Sequence, residues 1–170
     1  MDSTIASRLV AALKDNDAAV RKNVAWTLGN HKEASAADAL SEVLRDPDVS
    51  VGATAAWALG NIAKTGTVTR NAGAGLVALL KSSDDTAQRN AAFAVGNMAK
   101  AGAVEKDTVE PLIALLRSED VSVRKNAAWA LGMLKNPLAI EALSALLADK
   151  DSEVRKNAAW ALSWIPPEEE

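Results

Sequence analysis

The stretch VRKNAAWALG (Val123–Gly132) returns thirty-one residues later as VRKNAAWALS (Val154–Ser163). Three diverged versions precede the pair: VRKNVAWTLGN from Val20, VGATAAWALGN from Val51 and AQRNAAFAVGN from Ala87. The successive offsets are 31, 36, 36 and 31 residues, and the two longer steps coincide with Gly-containing insertions, KTGTVTR (64–70) and KAGAVEK (100–106). Recurrence at this period marks an array of supersecondary units, none of which can bury its apolar face alone.

Each copy begins three residues after an aspartate: Asp17, Asp48, Asp84, Asp120 and Asp151. An aspartate there suits a helix N-cap, because its carboxylate accepts orphan amide protons and sits at the positive end of the helix dipole. Before each aspartate lies a second apolar pattern: TIASRLVAALK, SAADALSEVLR, NAGAGLVALLK, VEPLIALLR and AIEALSALLA. Leucines recur in these at i, i+3 and i+4, the spacing of one helix face. Pro47 falls in a turn, and Pro111 and Pro137 near helix starts, where proline is tolerated. The expected architecture is therefore all-α: one right-handed α-solenoid over 1–170, built from five two-helix repeats. The repeats run approximately 2–31, 32–63, 64–99, 100–135 and 136–165, with an acidic tail at 166–170.

Composition agrees. Hydrophobic residues make up 49% of 170, yet aromatics are confined to five Trp and one Phe, so alanine, leucine and valine must build the core. With no Cys and a single His, neither disulfides, thiolate metal sites nor a histidine metal cluster can form. No apolar run approaches the roughly 20 residues that span a bilayer. The N-terminus reads as a first helix rather than a signal peptide, so a cytoplasmic location is expected.

The pattern D-x-x-V-R-x-x-A-A-x-A-L-G followed by A-I-x-x-L-x-x-L-L-x-D resembles the short HEAT-like repeat found in bilin-lyase subunits and in many prokaryotic scaffolds. WALGNIA (57–63) also resembles the third helix of armadillo repeats, as in importin-α. That resemblance implies a Trp and an Asn four residues later lining a concave groove that holds an extended peptide. The HEAT-like resemblance implies a fold and leaves function open.

Helix geometry places the aromatic. At about 100° per residue, Val20, Val24, Leu28 and His31 share one stripe facing the partner helix, and Trp26 falls about 140° from its centre. The same position holds Trp26, Trp57, Phe93, Trp129 and Trp160. Asn23, Asn90, Asn126 and Asn157 precede four of these by three residues, and Asn30, Asn61 and Asn97 follow three of them by four. Stacked repeats would align these into an aromatic–Asn ladder, concave by the family resemblance, whose rings and amides suit an extended polypeptide. The alternative is inter-repeat packing, with each ring on its neighbour's small residues and each Asn bonded to backbone across the seam; one ring face can also be packed and the other open.

The formal net charge is −3. The second helices (18–31, 49–62, 85–98, 121–134 and 152–164) carry seven basic against two acidic residues, a net +5. Lys22, Arg89, Lys125 and Lys156 neighbour the ladder, so an acidic or neutral partner is expected, unlike the basic peptides of the importin-α groove. This footprint is thin for a nucleic-acid groove. Arg21, Arg124 and Arg155 lie nearer the seam and are expected to pair with turn aspartates. The doublets Asp15/Asp17, Asp46/Asp48 and Asp149/Asp151 could imitate catalytic dyads, but their recurrence at turns points to turn and capping chemistry.

His31 is expected to be buried or to cap its helix. GAG (73–75) lacks the lysine of a phosphate loop. No nucleophile–base pair can be assembled and no cofactor is implied, so the expected function is a non-catalytic, protein-binding scaffold. Two other readings fit the pattern: an accessory subunit of a bilin lyase or similar partner enzyme, and an engineered or reconstructed repeat array with no evolved ligand. The apolar C-terminal end, with Trp164 at a ladder-Asn position, also admits self-association.

Overall fold

The computed structural model describes residues 2–103 and 106–166. The described residues form ten α-helices and four 3-10 turns, with no strand among them. The first helices of the repeats, the A helices, are α1 (Ser3–Ala12), α3 (Ala37–Val43), α5 (Gly73–Leu80), α7 (Val109–Leu115) and α9 (Ile140–Ala145). The B helices are α2 (Ala18–Asn30), α4 (Val49–Ala63), α6 (Asp85–Lys100), α8 (Val121–Leu134) and α10 (Ser152–Trp164). Every B helix starts at the anticipated aspartate. Asp17, Asp48, Asp84, Asp120 and Asp151 each hold extended backbone and accept an amide proton from the first turn.

Neighbouring B helices approach one another far more closely along their length than neighbouring A helices do. The stack is therefore tighter on the B side, which makes the B helices the inner layer of a curved α-solenoid. Alanine permits this approach. Ala25, Ala56, Ala92 and Ala128, each one residue before a ladder aromatic, are fully buried. Between the layers lie Leu28, Leu40, Val51, Ile62, Leu76, Val95, Met98, Leu112, Leu131 and Leu143, all essentially inaccessible.

The first repeat departs from the expected stripe. Val20 is partly open, whereas the residues at its position in later repeats, Val51, Ala87, Val123 and Val154, are fully buried. His31 is exposed and caps α2, its N–H donating to Thr27 O, so capping rather than burial is its role. Among the described residues α2 packs against one neighbouring B helix, α4, and His31 stands where later repeats carry Ile62, Met98, Leu134 and Ile165.

The turns are held by charge. Arg21 donates from Nε and Nη2 to Asp46 at 2.6 and 2.8 Å, and from Nη1 to the carbonyls of Asp15 and Asn16. Arg124 repeats this toward Asp149, at 2.8 and 3.0 Å, and toward the carbonyls of Ser118 and Glu119. Each arginine thus ties its own turn to the turn of the next repeat. Arg155 keeps only the carbonyl contacts, to Asp149 and Lys150. Asp15, Asp46 and Asp149 also accept the amide of the capping aspartate two residues on. The insertion 64–70 is pinned to α3 by buried Thr69, whose hydroxyl donates to Asp38 at 2.8 Å. Among the described residues, no helix is long and apolar enough to cross a membrane.

Candidate functional site: the inner face of the B helices

The five ladder aromatics project from the inner layer to different extents. Trp26 is 52% exposed. Trp57, Phe93, Trp129 and Trp160 are half-buried. The difference arises from a glycine three residues after each of the first four aromatics, on which the next repeat's ring sits. A β-carbon on Gly60 would lie 2.6 Å from Phe93 Cδ1, and one on Gly132 would lie 2.9 Å from Trp160 Cζ3. Gly29 receives Trp57 and Gly96 receives Trp129 in the same way. Trp26 has no preceding glycine to rest on. Each later ring is thus packed along one edge and open elsewhere.

The rings form pairs rather than an even column. Trp26 and Trp57 stack at 6.5 Å between centroids and 5° between planes, and Phe93 and Trp129 at 6.5 Å and 28°. These are offset stacks within the preferred range of aromatic separations. Trp160 tilts against Trp164 at 5.9 Å.

The asparagines divide. Asn23 and Asn30 are exposed, and Asn126 and Asn157 are half-buried. Asn90 donates to Ala53 O of the preceding B helix at 2.9 Å, a bond across the seam. Asn61 and Asn97 are buried; Asn97 donates to Phe93 O at 3.0 Å, and Asn61 accepts from Lys64 Nζ at 3.0 Å.

Lys22 and Lys156 are exposed, and Arg89 and Lys125 half-buried, all one turn before a ladder aromatic. Lys156 is paired with Glu153 at 2.7 Å, and that contact, ahead of the attraction of Lys156 and Lys125, holds the Glu153 carboxyl below its usual range. Part of this cationic row is therefore already matched.

A second cationic row escaped the sequence reading. Lys32, Lys64, Lys100 and Lys135 stand at the C-terminal ends of the first four B helices. Lys64 Nζ lies 4.6 Å from the centre of the Phe93 ring, and Lys135 Nζ 5.1 Å from that of Trp164. Among the described residues no carboxylate lies within ion-pair distance of these four lysines. The signal was present as a lysine six or seven residues after each of the first four aromatics, but the insertions blur its spacing.

Among the described residues, clefts open on this face at three places. One, of about 380 Å³, lies among Trp26, Thr54, Trp57, Arg89 and Asn90. A smaller one, about 200 Å³, is lined by Lys64, Asn97 and Lys100. The third, about 410 Å³, lies between Trp129, Met133, Trp160 and Trp164, with Lys100 and Lys135 at its edge. Among the described residues no cluster of metal-ligating side chains occurs.

HEAT repeats are matched over residues 6–70 and 73–163. Among curated proteins none matches. Similar solved structures include an engineered protein at 32% identity and a TM-score of 0.79, covering 95% of this chain and 79% of the other. A designed armadillo repeat protein in complex with the peptide (KR)4 is 27% identical, with a TM-score of 0.80 and coverage of 96% and 82%. The complex of CpcE and CpcF of phycocyanin lyase from Nostoc sp. PCC7120 shares the fold at 24% identity and a TM-score of 0.74, covering 94% of this chain and 64% of that one. With the profile spanning nearly its whole length over a stack of capped helix pairs, this chain belongs to the HEAT-repeat family.

Proposed function

We propose that the chain is a non-catalytic, cytoplasmic interaction scaffold that holds an extended polypeptide along the inner face of its B helices. The observation that carries this reading is the row of half-open aromatic rings, bracketed by two lines of basic residues and fixed in place by glycine seats. The designed armadillo protein that binds (KR)4 shows that a stack of this shape can take a peptide. Its ligand is basic, whereas the inner face here is lined with Lys22, Arg89, Lys125, Lys64, Lys100 and Lys135, so the partner is read as neutral or acidic.

The magnitudes suit a modest, tunable affinity. If a peptide covered about 60 Å² of each of five rings, the gross apolar gain would be about 7 kcal/mol at ~25 cal/mol/Å². Association consumes at least ~4 kcal/mol of this. Micromolar binding then requires hydrogen bonds from exposed amides such as Asn23 and Asn30, and ion pairs from the lysines. The test is a peptide-array retention assay comparing the parent with a Trp57→Ala/Trp129→Ala variant that remains helical by circular dichroism. Loss of retained peptides is expected; equal retention of every peptide overturns the reading.

A further inference from the structure

We infer that the cleft between the fourth and fifth B helices is the anchor subsite of this face, and that it takes an acidic peptide segment in which an aliphatic or aromatic side chain stands beside carboxylates. This rests on the inner face being the peptide-binding one and adds where the chain is gripped and by what chemistry.

The cleft is more apolar than the other two described on this face. Trp129, Trp160, Trp164 and Met133 supply its walls, and its volume of about 410 Å³ has room for one or two side chains. Trp164 is 47% exposed although its ring leans on Trp160, so a large aromatic surface remains uncovered at one spot. The two cations at its edge are Lys100 and Lys135, neither ion-paired among the described residues. The cleft shares Lys100 with its smaller neighbour, which adds Lys64, so a peptide leaving the anchor meets a further cation.

Lys135 supplies an independent observation. It ends α8 in the left-handed region, at φ 52°, as Lys32 does just after α2 at φ 51°. Such a C-terminal position favours glycine, and the two insertion-bearing repeats do place Gly66 and Gly102, at φ 87° and 89°, just after their B helices. A lysine at a helix C-terminus is favoured by the dipole wherever it sits. What sets Lys135 apart is its placement: its ammonium stands 5.1 Å from the Trp164 indole at the mouth of an apolar cleft. An amine held there offers a carboxylate a charge-assisted partner next to a hydrophobic wall.

The test uses the full chain and a fluorescein-labelled peptide of four Glu-Leu dipeptides, with four Lys-Leu and four Glu-Gly dipeptides as comparisons. Affinity is read by fluorescence polarisation and location by the indole N–H resonances of the five tryptophans. The Glu-Leu peptide is expected to bind more tightly than both others and to shift Trp129, Trp160 and Trp164. Lys100→Gln and Lys135→Gly should each weaken it roughly tenfold, as loss of a hydrogen bond to a charged group does. Lys81→Gln, a charge change at the end of the A helix α5, should not. Lys135→Gly should melt no lower than the parent, a combination of lost affinity and retained stability that a purely structural lysine would not produce. Absence of Glu-Leu binding, equal binding of Lys-Leu, or unchanged affinity in both lysine variants overturns the inference. If shifts are confined to Trp26 and Trp57, the anchor assignment falls while the inner-face reading stands. If no array peptide depends on Trp57 and Trp129 either, both fall.

Discussion

At the scale of single residues, the one letter that separates the two copies of the repeated phrase carries physical information. Gly132 ends the first copy because Trp160 of the next repeat rests on it, and a β-carbon there would also lie 2.8 Å from Ala161 Cα. Ser163 ends the second copy, where no ring from a following repeat rests among the described residues, and its hydroxyl turns back to donate to Trp160 O at 2.7 Å. Writing the second copy's letter into the first, Gly132→Ser, should therefore force α8 and α10 apart. The expected loss is about 1–3 kcal/mol, the usual cost of overpacking a tight contact. Ser163→Ala should stay within about 0.5 kcal/mol of the parent, as exposed substitutions do. Urea titration followed by tryptophan fluorescence measures both, and an equal effect at the two positions would show that the glycine seat does not set the repeat spacing. The aromatic periodicity was legible in the sequence; the seat was not. Helix-wheel geometry treats one helix at a time and cannot say which neighbour a ring leans on.

At the scale of elements, the turns join one repeat to the next. The carboxyl of Asp149 is held below its ordinary value of 3.8, first by its hydrogen bonds with Arg124 and also by the Asp151 amide, against an opposing effect of burial. Asp46 is lowered in the same way by Arg21. A carboxyl whose folded pKa is depressed stabilises the fold at pH values above its unfolded pKa, and that contribution disappears as pH falls through the folded value. Stability should thus hold from neutral pH to about 4 and drop below it, and an Asp46→Asn/Asp149→Asn variant should show a shallower acid dependence. At neutral pH, Asp149→Ala leaves the buried Arg124 side chain without its carboxylate, at an expected cost of about 3 kcal/mol. Asp120→Ala, which removes only a cap bond to Val123 N–H, should cost about 1 kcal/mol. Chemical denaturation at pH 7 separates the two, and a reversed order would mean that the caps outweigh the inter-turn ties. These roles were readable in advance because a capping aspartate recurs at a fixed distance from every B helix and an arginine from three of them. At the corresponding position the second and third repeats carry Gly52 and Gln88, so the charge tie is absent there and Gln88 bonds Ser82 O instead.

At the scale of the whole molecule, the stack has two unlike ends. The order of the helices and the aspartate caps followed from periodicity, because each repeat writes the same local rules. The lysine row at the B-helix ends and the cleft around Trp164 did not, because the insertions shift the lysine by one position between repeats and Trp164 departs from the repeated pattern. At the first layer Trp26 and Val20 are open. At the last, Ser163 stands where a glycine seat would be, and Trp164 turns onto Trp160 beside the place that a following ring would occupy. A second copy presenting Trp26 to this end would meet the Ser163 side chain in place of a glycine, so head-to-tail stacking by ring on glycine is disfavoured. Self-association through the C-terminal end then needs a different contact, such as burial of Trp164 itself. The expected outcome is a chain that stays monomeric by light scattering as concentration rises. A Ser163→Gly/Trp164→Asn variant, which restores the ladder pattern at the last layer, should form concentration-dependent chains that Trp26→Ala disperses. Oligomers of the parent that Trp26→Ala also disperses would show that the fifth layer does not close the stack.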